Sequence, residues 1–216
     1  GGAGRSAVDR GGRMIVLSFD PGILTGGGFC GRTNDLRKWD VLGAIDIASR
    51  SRKRDGKAQA VQVVTELGAP GEVEAWGDAR KPAGRILERW AEDVVEPAYV
   101  DVLVVEGIAY HVSGKGHGGQ ALVDLAAAAA DLAGSMRRVT GLEPWRPGWD
   151  EWVRATWGPI RRVKGRKPGQ LAAEVGKACA RELPTWGIDL GALAGSSHAV
   201  EAAVMGRAAA IRKGVR

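Results

Sequence analysis

The feature that most constrains this chain is the run Tyr99–Val105, YVDVLVV, which leads straight into Glu106 and Gly107. A short run dominated by β-branched Val reads as a strand buried inside an α/β sheet. A carboxylate that continues such a strand is costly if left unpaired, so a metal ion or a basic partner is called for at that point. A second apolar run, Met14–Phe19, ends in the same way at Asp20, and Pro21-Gly22 then stops the strand and begins a turn. Two strands that exit into acids place both carboxylates at the carboxyl edge of one sheet, where α/β proteins commonly hold their ligands. Two ordinary turn acids would give the same pattern.

The remaining segments supply the layers around these strands. The stretch GGFCGRT (27–33) and Trp39–Ile47 read as two further strands, joined to the first by short turns. Residues 50–57, RSRKRDGK, read as a solvated basic loop, and residues 58–98 hold one helix candidate, with Pro82 near its start and Ile86, Trp90, Val94 and Val95 at helical spacing. Residues 119–138 form an Ala-rich helix that ends in Arg137 and Arg138, which suit a helix C-terminus. Trp145, Trp149, Trp152 and Trp157 read as anchors of the core in an irregular segment. Further helices are expected over 168–183 and over Ser197–Ile211. Strands first, then helix, buried strand and helices, predict an α/β fold in which a mixed sheet is flanked by helices. Residues 1–13 lack periodicity and read as an expression remnant or a disordered extension, which leaves 14–216 as a single domain.

Composition narrows the function classes. The 216 residues contain two cysteines, Cys30 and Cys179, so neither a disulfide framework nor a Cys-based zinc site is available. No apolar run approaches the roughly 20 residues that cross a bilayer, and no signal-peptide pattern opens the chain, so a soluble, cytoplasmic protein without a membrane partner is expected. A net charge of +6 admits a polyanionic partner without requiring one.

The last helix adds His198 and Glu201. Their i,i+3 spacing puts both side chains on one face, and the stretch around Glu201 carries no other charge until Arg207. A surface acid and a first-turn histidine would also fit. Combined with Asp20 and Glu106, however, the pair makes a hard, oxygen-rich donor set suited to Mg²⁺ or Mn²⁺. Such a set can hold two ions about 4 Å apart, one to activate water and one to stabilise the leaving oxygen of a phosphodiester.

Taken together, MIVLSFDPG, VLVVEG and HAVEAAVMG resemble the motifs of the RuvC-type Holliday junction resolvases of the ribonuclease H-like superfamily. The resemblance spans essentially Met14 to Ile211 and implies a ribonuclease H-like mixed five-stranded sheet. It also implies Asp20, Glu106, His198 and Glu201 as catalytic metal ligands for two Mg²⁺ ions, with Mn²⁺ able to substitute, and a homodimer that makes paired symmetric nicks in four-way DNA junctions. The products would carry 5′-phosphate and 3′-hydroxyl ends. Glu201 stands where many members have Asp, and the extra length and the Trp-rich segment suggest a divergent, phage-like branch acting in a bacterial or phage-infected cell.

Between Trp152 and Ala173 there is no acid, while Arg154, Arg161, Arg162, Lys164, Arg166 and Lys167 are basic, a pattern that favours contact with phosphates. Residues 50–57 offer a second patch. By the resemblance, Lys164 or Lys167 assists the chemistry. Tyr110 is a candidate to stack on bases at the branch, with His111 and Lys115 near the scissile phosphate. The Gly-Lys-Gly within 107–118 lacks the spacing of a phosphate-binding loop, so no nucleotide cofactor is expected. The Ala-rich helix is the candidate dimer interface. Three other readings share much of this pattern: a nuclease for RNA–DNA hybrids or other branched nucleic acids, a junction binder without catalysis, and an actin-like ATPase, for whose two-lobed architecture the chain is short.

Overall fold

A computed structural model describes residues 12–96, 99–107, 119–159 and 170–216. Residues 1–11, most of the segment read as a remnant or extension, lie outside it. The described residues form a six-stranded sheet in the order β5-β4-β3-β2-β1-β6. The strands are β1 Met14–Pro21, β2 Gly26–Asp35, β3 Lys38–Arg54, β4 Lys57–Glu66, β5 Glu72–Trp76 and β6 Val102–Val105. β1 to β5 form an antiparallel meander, whereas β6 lies parallel to β1 with Phe19 opposite Val105. This is the mixed α/β arrangement expected from the sequence, a sheet flanked by helices, with six strands rather than five. Beyond β6, Trp145 adds a single parallel bridge to Val104.

Five helices cover the two faces: α1 Ala83–Val94, α2 Gly119–Thr140, α3 Trp149–Trp157, α4 Gln170–Glu182 and α5 Ser197–Arg212. Strand alternation sorts the side chains between two cores. Leu17, Phe19, Ile45 and Val105 pack with Leu87 and Trp90 of α1 and Met136 of α2. Val16, Phe29, Val104 and Ala44 pack on the other face with α5, Trp152 of α3 and Cys179 of α4. Small residues bring α5 close to the sheet. A Cβ at Gly206 would crowd Ser18 Oγ and the Phe29 ring, and Ser18 Oγ instead donates to the Ala202 carbonyl oxygen at 2.6 Å.

Three expectations need correction. Residues 50–57 are not a loop: β3 continues to Arg54, and Asp55 and Gly56, both at positive φ, make a two-residue turn into β4. That geometry suits the right-handed twist of a hairpin, and Asp-Gly is a favoured pair for it. Residues 58–98 hold two strands besides the expected helix. Neither strand carries a strong apolar pattern, since the first four residues of β4 and the first three of β5 are exposed. Pairing defines them, of β4 with β3 and of β5 with β4. The Trp-rich segment also contains a regular helix, α3, in place of an irregular anchor.

Candidate active site

β1 and β6 exit the sheet side by side, and the Glu106 N–H donates to the Phe19 carbonyl oxygen at 3.0 Å. Continuing the alternation of Val16 and Ser18, and of Val102 and Val104, puts Asp20 and Glu106 on the face covered by α5. Both are buried, at 7% and 8% exposure, so neither is an ordinary turn acid. The register runs onward from Asp20 to Gly27 of β2 and from Gly27 to Asp46 of β3. A row Glu106–Asp20–Gly27–Asp46 therefore crosses four strands, with a gap at the glycine.

The first turn of α5 fills that gap. A Cβ on Gly27 would collide with the backbone of His198 and Ala199. On one side of the gap His198 Nδ1 lies 2.5 Å from Asp20 Oδ2. On the other, Ser196 Oγ donates to Asp46 Oδ1 while accepting the Ala199 N–H at 3.2 Å as the helix N-cap. Glu201 follows one turn later on the same face and feels the charges of both Asp20 and His198.

Within the chain, Glu106 is held by an indole. The indole Nε1 of fully buried Trp152 donates to Glu106 Oε1 at 2.9 Å. Burial pushes the Glu106 carboxyl up to about 8, helped by the neighbouring charge of Asp20 and a hydrogen bond with it, against the opposing pull of the Trp152 hydrogen bond. Glu201 is pushed up to about 7 by burial and by Asp20, partly offset by His198. Burial works against a charged His198, but the hydrogen bond and charge of Asp20, with Asp46 and Glu201 behind it, raise its pKa. The site is a compact set of groups that resist carrying all their charges at once.

The structure thus brings together Asp20, Glu106, His198 and Glu201, the residues singled out from sequence. Among the described residues, no three His, Cys, Asp or Glu side chains are arranged to hold a metal ion as they stand. His198 closes directly on Asp20, and one oxygen of Glu106 accepts from Trp152. The chemistry of the donors nevertheless fits a hard divalent cation, since such an ion would favour the ionised form of carboxyls whose pKa is raised by burial and by neighbouring charge.

Two neighbours of the site escaped the sequence reading. Asp46 carries the same signal as Glu106, a lone acid in the apolar run GAIDI, but it sits inside a strand rather than at its exit. Trp152 carries no signal beyond its residue type. Arg154, expected to contact DNA, is exposed on α3 and pairs with Asp150 at 3.5 Å. Tyr110, His111, Lys115, Arg161, Arg162, Lys164, Arg166 and Lys167 lie outside the described residues. No described helix is long and apolar enough to cross a membrane.

No family model matches this sequence, and no curated protein does. Among solved structures, a RuvC from Thermus thermophilus is similar to 94% of this chain over 98% of its own, at 13% identity and a TM-score of 0.47. A likeness of that degree carries no information about chemistry.

Proposed function

We propose that the protein is a metal-dependent endonuclease that resolves four-way DNA junctions, a crossover junction endodeoxyribonuclease. The observation that carries this reading is the row of buried carboxyls at the ends of two adjacent parallel strands, met on the same face by His198 and Glu201. The motif resemblance supports the choice of a junction as substrate. Asp20, Glu106, His198 and Glu201 would hold two Mg²⁺ or Mn²⁺ ions, which supply Lewis-acid polarisation of the phosphoryl oxygens and a water of lowered pKa.

The chain's own part is to orient and to yield protons. Trp152 fixes one oxygen of Glu106, and a hydrogen bond with Asp20 ties the same carboxyl to the neighbouring strand end. His198 holds Asp20 Oδ2 and is in turn held by the capped first turn of α5. Glu106 and Glu201 give up the protons that burial favours before they act as anionic ligands. A water oxygen bonds to phosphorus and gives up one proton as the bond to the 3′-oxygen breaks, and the 3′-oxygen takes up one proton in turn, leaving 3′-hydroxyl and 5′-phosphate ends. In this reading Lys164 or Lys167 assists the chemistry, the basic residues at 154–167 contact phosphates, and Tyr110, His111 and Lys115 approach the branch.

The test is a gel assay of wild type, Asp20→Asn and Glu106→Gln on a four-way junction, a linear duplex and an RNA–DNA hybrid, each with Mg²⁺, Mn²⁺ or Ca²⁺. Paired nicks in the junction are expected with Mg²⁺ or Mn²⁺. Each substitution should slow cutting by at least about 10²-fold, the order of loss for one transition-state-stabilising group, while junction binding persists. Preferential cutting of the hybrid would move the substrate to RNA–DNA duplexes, and binding without cutting would reduce the protein to a junction binder.

A further inference from the structure

The β3–β4 hairpin reaches beyond the sheet that carries the acidic row. Residues 49–60 are all exposed, and β5 pairs only with Val61–Thr65, so this part is a free two-stranded ribbon. Alternation along β3 carries the face of Asp46 outward through Arg50, Arg52 and Arg54. A single cleft confirms the shared face, since Asp46, Arg50, Glu72, Ser196 and His198 all line it. From Asp46 to Arg54 the line runs about 26 Å, and its arginines recur about every 6.6 Å, close to the separation of successive phosphates on one nucleic-acid strand.

The arginines are held in place from the side. Arg50 pairs with Glu72 at 2.7 Å, Arg52 with Glu72 at 3.0 Å and with Glu74 at 2.9 Å, and Arg54 lies over the Trp76 ring at 5.6 Å. These contacts order long side chains that would otherwise lose rotamer freedom on binding. They occupy part of each guanidinium, which has five N–H donors, and the Arg50 and Arg52 side chains remain nearly half exposed. Lys53 alternates to the opposite face of the ribbon, which makes the two faces separable by experiment.

We propose that Arg50, Arg52 and Arg54 form a rail for the phosphate backbone of a DNA arm as it leaves the acidic row. The proposal rests on DNA being the substrate, as argued above, and adds where one arm lies. Glu72 and Glu74 preorganise the rail at the expense of its charge.

The experiment measures binding of a four-way junction and of a linear duplex in EDTA across a salt series, so that no cutting intervenes. Arg50→Gln/Arg52→Gln/Arg54→Gln should weaken binding and reduce the slope of log K against log salt by about 2.7, at about 0.9 per phosphate contact. Lys53→Gln should leave the slope unchanged. An unchanged slope in the triple variant or an equal effect from Lys53→Gln overturns the rail. A protein that shows the rail but cuts nothing removes the nuclease reading alone, and one that cuts junctions with no change of slope removes the rail alone.

Discussion

At Glu106 a buried carboxyl accepts a hydrogen bond from an indole and faces two further acids, Asp20 and Glu201. The folded protein therefore binds a proton there that the unfolded chain would release at the ordinary value of 4.5. The sign of the linkage follows. Stability from this group is fully present below about pH 4.5 and is lost as pH rises through its folded value of about 8. Glu201 acts in the same direction up to about 7. Metal-free protein should thus lose stability on going from pH 5 to about pH 8, and Glu106→Gln, which keeps the shape without the charge, should flatten that slope in urea titrations at a series of pH values. A divalent cation should reverse the trend, because it favours the ionised carboxyls. A Glu106→Gln profile parallel to wild type would show that the carboxyl titrates normally.

At the scale of elements, the first turn of α5 is the part that assembles the site. It straddles β2 at Gly27 and is tied on one side to Asp46 through Ser196 and on the other to Asp20 through His198. The rest of the helix is positioned separately, by Ser18 and by the close approach at Gly206. Ser196→Ala should cost about 1 kcal/mol through loss of the N-cap. Gly27→Ala should cost more, about 1–3 kcal/mol, because backbone and not a flexible side chain must move. Chemical denaturation ranks the two. Equal costs would mean that the close approach at Gly27 relaxes easily. Because both changes act on the turn that carries His198, both should also lower cutting of the junction.

At the scale of the whole molecule, the proposed substrate, a four-way junction, would present two nearly equivalent strands, which suits a two-fold dimer with one site per protomer. Among the described residues, the first half of α2 is a candidate face for that. Its residues 119–124 are all exposed, including Leu122 at 37% and Val123 at 45%, while its second half packs against α1 through Leu132 and Ala133. Apolar side chains on a projecting Ala-rich helix allow close approach of a second copy. Leu122→Glu/Val123→Glu is expected to sediment as a folded monomer and to nick one strand of a junction without the paired second nick. A variant that remains dimeric would place the interface elsewhere.

Local chemistry made much of this legible in advance. Burial along a strand shows as a run of β-branched residues, and an acid that continues such a run is conspicuous without any knowledge of its neighbours, which is why Asp20 and Glu106 stood out. Helical spacing did the same for His198 and Glu201. The Asp55-Gly56 pair also held the hairpin turn in plain view, but the basic residues around it lacked the apolar alternation that marks strands, so the ribbon read as a loop. Tertiary structure alone decided the rest. Asp46 joins the row because antiparallel register sets it across from Gly27, and Trp152 reaches Glu106 from 46 residues away. Register and packing across layers depend on which elements meet, and no pattern within one element encodes its neighbour.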